Sequence, residues 1–310
     1  MKVLHIYKAD HNFSSRIFNQ TNIDDGDVIS ATSDPKLSFR NLYYQIPKYD
    51  IFVFHCQSSI LFMLFLLFFI DSNKVRYDIH DLNESNLKKG LKFNLKFLLF
   101  FIVERAIIRK INICNVSEGN KKEYLNKGHV FFNLPKVKLI ETKKTHLPCK
   151  DFIFFGTEER CPKDLFSLAK KKVIDLSIFG IYSDHFKKTI LENNINFMGR
   201  YNPENLSFLE NYKFSLIYSP HTRQKNMQHS LPNKFFQSIL YSLNICLSEN
   251  FTEMISFCEE HGVNFNIIRR QEDLLNLTYS KYTIDLKKIF KKNNSQYMEF
   301  LYGAPWNTNF

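Results

Sequence analysis

The sequence predicts an α/β chain built from two Rossmann-like, doubly wound parallel-sheet domains. Three observations carry that prediction. Short strand-like runs alternate with helix-like runs from the first residues onward. The alternation restarts near Phe152, after a crossing rich in proline and lysine. With 310 residues and 44% apolar side chains, the chain has material for two medium cores, whereas single cores stop growing near ~250–300 residues.

In the first half, the strand-like runs are "KVLHIY", "DVISA", "DIFVFH", "VRYDIH", "INICNVS" and "HVFFN". Between them, "SRIFNQ" and residues 58–69, 87–109 and 118–127 read as helices. Ile51 to Ile70 contains no Asp, Glu, Lys or Arg, so it resembles a membrane span in hydropathy. His55 to Ser59 divides it into a strand and a short apolar run, well under the ~20 residues a bilayer needs. A buried helix is the expectation. "NLPKVKLIETKKTHLPCKD" then reads as an interdomain crossing.

In the second half, strands are expected in "FIFFGT", "VIDLSIFG", "INFMGR", "KFSLIYS" and "ICL". Helices are expected in "CPKDLFSLAKKK", "HFKKTILENN", "NPENLSFLENY" and the apolar run after Pro232. The stretch after Glu253 looks helical in pieces. These elements give domains at 1–145 and 150–295, with a tail at 296–310 returning to the first.

The formal net charge is +11, and residues 1–145 hold +8 of it, so an acidic partner is expected for that half. Nucleic acid explains the charge poorly, because no recognition motif accompanies it. Six cysteines without a CxxC pair suit reduced thiols in the cytoplasm, and no secretory signal precedes "VLHIY". Asp25 and Asp27 formally make an Asp-x-Asp, but in a polar early turn where metal binding is not expected.

The segment "HSLPNKFFQSILYSLNICLSEN" poses a local problem. Pro232 suits the first turn of a helix, where its missing N–H costs nothing. That end of a helix is electropositive, yet Lys234 adds a further cation there. A bound phosphate would account for the lysine, at the strand end where open α/β sheets bind ligands. A Pro-started helix with a solvent-exposed lysine accounts for the same residues equally well.

"LPNKFFQSILYSLNICLSEN" resembles the C-terminal-domain signature of GT-B glycosyltransferases, above all the retaining group classed as family 4. "RYDIHDLNES", "NVSEGNKKEYL", "VFFNLPK", "FFGT" and "FMGRYNPENL" resemble further motifs of these enzymes, in the same order, from Tyr77 to about Asn250. The resemblance implies a GT-B fold with two domains facing a cleft. It implies a glycosyltransferase moving a sugar from a nucleotide-sugar to a lipid-linked, surface-polysaccharide or lipopolysaccharide acceptor. The alternatives are a non-catalytic GT-B-like binding or scaffold subunit and a sugar-nucleotide epimerase.

By the same resemblance, His80, Asp81 and His229 face the transferring sugar. Gly156, Arg200, Arg223, Leu231, Pro232, Asn233 and Lys234 hold the diphosphate region, and Gln237 the ribose. The family places two glutamates eight residues apart, where this sequence has His229 and Gln237. No metal and no cofactor are expected, because helix N-terminus and basic side chains can stabilise the leaving diphosphate. Lys88, Lys89, Lys92 and Lys96 precede an apolar helix that ends in Arg109 and Lys110. The expected partners are thus a nucleotide-sugar, a glycan or glycolipid acceptor and an anionic membrane surface, at the inner face of the cell membrane.

Overall fold

The computed structural model describes residues 1–8, 15–31, 35–55, 59–80, 95–134, 148–202, 205–219 and 225–303. The chain divides into two compact units. Met1–Lys136, Gln224–Ser230 and Lys287–Phe310 form the first, and Val137–Arg223 with Leu231–Leu286 the second.

The first unit runs β1 (Val3–Lys8), α1 (Ser15–Asp24), β2 (Asp27–Ala31), α2 (Pro35–Gln45), β3 (Ile51–His55), α3 (Ile60–Leu67), β4 (Val75–Ile79), α4 (Leu95–Ile107), β5 (Asn112–Asn115), α5 (Glu118–Glu123) and β6 (His129–Val130). Its strands form one parallel sheet in the order β2-β1-β3-β4-β5-β6. β3 and β4 are buried at every residue, as parallel strands covered on both faces must be. On one face, Ile60, Phe62, Met63 and Leu66 of α3 pack on Leu4, Phe52, Phe54 and Tyr77. The helix expected at 58–69 is thus buried on one face only, since Leu61 on α3 and Phe68 and Phe69 just past it are exposed, and no helix among the described residues is long and apolar enough to cross a membrane.

The other face is closed from far along the chain. Tyr297, Phe300 and Leu301 join Val3, Ile51, Val53, Cys114 and Phe131 in one apolar cluster. The Asn293 side chain accepts from Phe132 N at 2.6 Å and donates to Phe132 O at 3.2 Å. Arg76, on β4, donates to the Phe300 carbonyl at 2.7 Å and to the Leu301 carbonyl at 2.6 and 2.9 Å. These are the last carbonyls of a helix, where a cation is favoured.

The second unit runs β7 (Lys150–Phe155), α6 (Phe166–Lys170), β8 (Leu176–Phe179), α7 (Asp184–Glu192), β9 (Asn196–Gly199), β10 (Tyr212–Ile217), α8 (Asn233–Leu240), β11 (Asn244–Ser248), α9 (Thr252–His261) and β12 (Phe265–Ile268). The helix closing the first unit is then α10 (Leu286–Tyr302). The second sheet is also parallel, in the order β12-β11-β10-β7-β8-β9. The chain winds outward from β7 to β9, returns to place β10 beside β7, then winds the other way. In such sheets ligands bind at the carboxyl ends of the strands where the order reverses. The reversal lies between β7 and β10 here, and between β1 and β3 in the first sheet.

Several expected elements differ. Residues 202–212 read as a helix but hold only the 3-10 turn Ser207–Asn211. The helix expected at 161–172 breaks into a 3-10 turn, Lys163–Leu165, and α6. α2 and β12 were not anticipated. The interdomain crossing lies mostly outside the described residues, as do Lys88, Lys89 and Lys92. Cys114, Cys161, Cys246 and Cys258 are buried and free, Cys149 is exposed, and Cys56 lies outside the described residues.

Candidate functional site

In the second unit Gly156, Leu231, Pro232, Asn233, Lys234 and Gln237 gather where the strand order reverses. Pro232 is the cap of α8 rather than its first helical residue, with φ −72° and ψ 155°. It offers no side-chain cap, and Phe235 N closes the first turn on the Pro232 carbonyl at 2.9 Å. Leu231, Phe235 and Phe236 are buried beneath the turn. Ser238 ties α8 to β10, donating to Ser215 Oγ at 2.7 Å. The helix start is thereby fixed at the carboxyl edge of the sheet.

The Lys234 ammonium stands over the Phe154 ring of β7, 4.9 Å from its centre. A Cβ on Gly156, just past β7, would lie 3.8 Å from that ammonium and 3.0 Å from the Phe154 ring. A side chain there would crowd the Phe154 ring on which the lysine rests, while the lysine itself lies at ordinary contact distance. Among the described residues no carboxylate pairs with Lys234. Burial first, and the positive charge of Arg160 second, push Lys234 down to about 8. A cation that is partly desolvated, beside another cation, at a helix N-terminus is a place for an anion. Gln237 is buried one turn further along α8. Arg200 lies just past the edge strand β9, exposed, two strands from β7. Arg223 lies outside the described residues. Arg160 escaped the sequence reading, since nothing local marks a surface arginine as facing Lys234.

In the first unit, β4 places Asp78 and His80 on one face, as strand alternation requires. His80 Nε2 lies 2.9 Å from Asp78 Oδ2. Asp78 is the hub of a buried network. Arg16, on α1, donates through Nε to both of its oxygens, at 3.0 and 2.9 Å, and through Nη2 to Oδ1 at 2.5 Å. Gln20 Nε2 donates to Oδ2 at 2.9 Å, and His55 Nδ1 lies 3.1 Å from the same oxygen. His55 Nε2 meets His5 Nδ1 at 2.9 Å, and His5 Nε2 meets Asp24 Oδ2 at 2.9 Å. The Tyr297 hydroxyl donates to Asp24 Oδ2 at 2.6 Å.

Burial alone would raise the Asp78 carboxyl, but Arg16 and the two histidines hold it well below the usual range. Burial drives His55 down to about 3, so its imidazole is neutral. His5, Arg16, Asp24 and His55 were not picked out from the sequence. They lie far apart along the chain, and only the sheet register, which pairs His55 with Asp78, brings them together.

Asp81 lies outside the described residues. His229 belongs to the first unit, while Gln237 belongs to the second. The His229 carbonyl accepts from Ser117 Oγ, and its Nε2 lies 3.8 Å from Glu123 Oε1. In the early acidic turn, Asp27 accepts from the Tyr49 hydroxyl at 2.7 Å.

No protein-family profile and no curated protein matches the sequence. Solved structures do resemble it. Anabaena HepE in complex with UDP superposes at a TM-score of 0.64 with 11% identity, over 98% of this chain and 94% of that one. Sucrose-phosphate synthase from Thermosynechococcus elongatus gives 0.60 and 10%, over 98% and 95%. A glycosyltransferase from Rickettsia africae gives 0.58 and 11%, over 98% and 92%. With two six-stranded parallel sheets in hand, that likeness decides the architecture. The chain has the GT-B fold. In GT-B terms, Lys234 stands at the reversal point of the C-terminal sheet and the Asp78 network beside that of the N-terminal sheet.

Proposed function

We propose that the chain is a glycosyltransferase moving a sugar from a nucleotide-sugar to a lipid-linked, surface-polysaccharide or lipopolysaccharide acceptor. The observation that carries the reading is Lys234, half-buried at the start of α8 without a carboxylate partner among the described residues. A leaving nucleoside diphosphate needs its developing charge stabilised, and preorganised donors at a helix start supply that stabilisation. In this reading Lys234 and the Leu231–Asn233 backbone hold the diphosphate beside Gly156, with Arg200 and Arg223 adding charge. Gln237 accepts from the ribose, and His80, Asp81 and His229 face the sugar. The diphosphate needs no metal ion on this account. HepE was crystallised with UDP, and also with UDP and glucose, which supports a nucleotide-sugar as donor.

Exposed side chains of the first unit support an anionic membrane as partner, at the inner face of the cell membrane. Phe68 is 84% exposed, and Tyr43, Tyr44, Leu61 and Phe69 are all more than half exposed. Tyr43 meets the Phe69 ring edge-on at 5.3 Å, and Lys110 lines one groove with Leu64, Leu67 and Phe68. Aromatic side chains beside cations suit a headgroup layer. A second reading, a nucleotide-binding subunit without turnover, is favoured by the two residues that stand where the family has glutamates, His229 and Gln237.

A thermal-shift screen with UDP, GDP, CMP, dTDP and ADP, with and without magnesium, tests donor binding. One nucleotide should stabilise the protein by about 2.7 kcal/mol at a hundredfold excess over its Kd. Lys234→Ala should lose that response while folding normally. A wild-type protein indifferent to every nucleotide, or an equal response in Lys234→Ala, overturns the assignment. Donor turnover that disappears in His80→Ala separates the transferase from the binding subunit.

A further inference from the structure

We infer that His55 Nδ1, Asp78 Oδ2 and His80 Nε2 form a binding site for a first-row divalent cation of the zinc class. The inference shares His80 with the transfer reading, but its test reads metal binding and needs neither nucleotide nor acceptor.

The first argument is geometric. The three atoms are separated by 3.1, 2.9 and 3.4 Å. Ligand atoms about 2.1 Å from one ion lie about 3.0 Å apart at right angles and about 3.4 Å apart at the tetrahedral angle. The triangle spans that interval. Two imidazoles and one carboxylate are a donor set that suits zinc and its neighbours rather than magnesium or calcium, which prefer oxygen alone.

The second argument is the orientation of the ligand histidine. His55 turns Nδ1 toward Asp78 and Nε2 toward His5 Nδ1, 2.9 Å away, while His5 Nε2 lies 2.9 Å from Asp24 Oδ2. With a cation on His55 Nδ1, His55 Nε2–H donates to His5 Nδ1, and His5 Nε2–H donates to Asp24. Histidines that bind metals orient themselves in this way, giving their second N–H to an acceptor beyond the metal.

The third argument is the setting of the carboxylate. Among the described residues, two acids, Asp24 and Asp78, face one guanidinium, Arg16. Asp78 Oδ2, which also accepts from Arg16 Nε and Gln20 Nε2, is the oxygen turned toward both histidines. Beside them the Gln20 Oε1 atom is buried with no hydrogen-bond partner among the described residues, an unused oxygen next to the same carboxylate. His80 is the one of the three ligands that reaches the surface, with its side chain 13% exposed.

The test uses the full chain with any affinity tag removed. After chelator treatment and dialysis, the protein is titrated with zinc against a chromophoric chelator. Cobalt is then substituted for its visible spectrum. One equivalent should bind, weakened at least tenfold in His80→Gln and unchanged in His185→Gln, which alters an exposed histidine of α7. X-ray absorption on the wild-type zinc form should show two imidazole ligands near about 2.0–2.1 Å, and it decides the matter even where His80→Gln fails to fold. A wild-type protein that retains no cation overturns the inference. So does an unaltered affinity in His80→Gln, or a coordination shell with fewer than two imidazoles. The cluster then holds protons alone.

Discussion

At the carboxyl edge of the first sheet, Arg16 is buried against Asp78 with every strong donor directed at an acceptor. At the same edge of the second sheet, Lys234 lies half-buried against an aromatic ring with no carboxylate among the described residues. Both cations lie in the first turn of a helix at the carboxyl edge of a parallel sheet, yet among the described residues a carboxylate meets only one. Burying a charge costs several kcal/mol, and a pair recovers that cost only when its geometry is good. The first edge is thus finished by the protein itself. The second leaves a cation poised, and the free energy that an anion would supply appears only on binding. The difference shows that a reversal point in an α/β sheet provides a place for a ligand, while local charge decides whether the place is occupied from within.

The contrast can be broken most directly through stability. Arg16→Ala leaves Asp78 as an uncompensated buried carboxylate, and urea unfolding should show a loss of about 3–5 kcal/mol. Lys234→Met removes a cation that meets no carboxylate among the described residues, and its stability should equal or exceed that of the wild type. Equal losses in both variants would erase the distinction.

A smaller effect follows from pH. Lys234 is lowered to about 8, chiefly by burial and then by Arg160. Its ammonium is present below that value and disappears as pH rises through it. Nucleotide affinity measured calorimetrically should be level near neutrality and weaken above about pH 8, by no more than tenfold per pH unit. A depressed lysine acts oppositely on the unliganded fold, because only the folded state has shed the proton there. Stability should therefore rise from about pH 8 toward the ordinary lysine value of 10.5. Affinity and stability that move together would place the titration elsewhere.

The smallest effect sharpens the ligand side. Gln237→Glu replaces a neutral acceptor with a charged one on a buried face of α8. It should tighten binding of a ribonucleotide by a few-fold over its deoxyribose counterpart. Equal affinity for both sugars would remove Gln237 from the ribose contact.

What the sequence discloses follows how local each feature is. The two alternating halves were legible, because parallel strands buried on both faces leave continuous apolar runs such as "IFVFH" and "FIFF". The helix after Pro232 was legible to within one residue, since proline and the apolar run act on neighbouring positions. α2 escaped although Pro35 begins it, because "PKLSFRNLYYQ" mixes polar residues with exposed Tyr43 and Tyr44 and shows little apolar stripe. β12, "FNII", is only half-buried and short. The network around Asp78 draws on β1, α1, β3, β4 and α10, so no window of sequence contains it.

The closing of the first unit by α10 governs the order in which the protein can be made. Val3, Ile51 and Val53 emerge from the ribosome early, but their cover, Tyr297, Phe300 and Leu301, is translated only after the whole second unit. At about 5–20 residues per second, the nascent sheet waits on the order of ten seconds with one face bare. The domain begun first is completed last, and chaperones have that interval in which to act. A premature stop that removes the final helix would spare the whole second unit and still cripple the first.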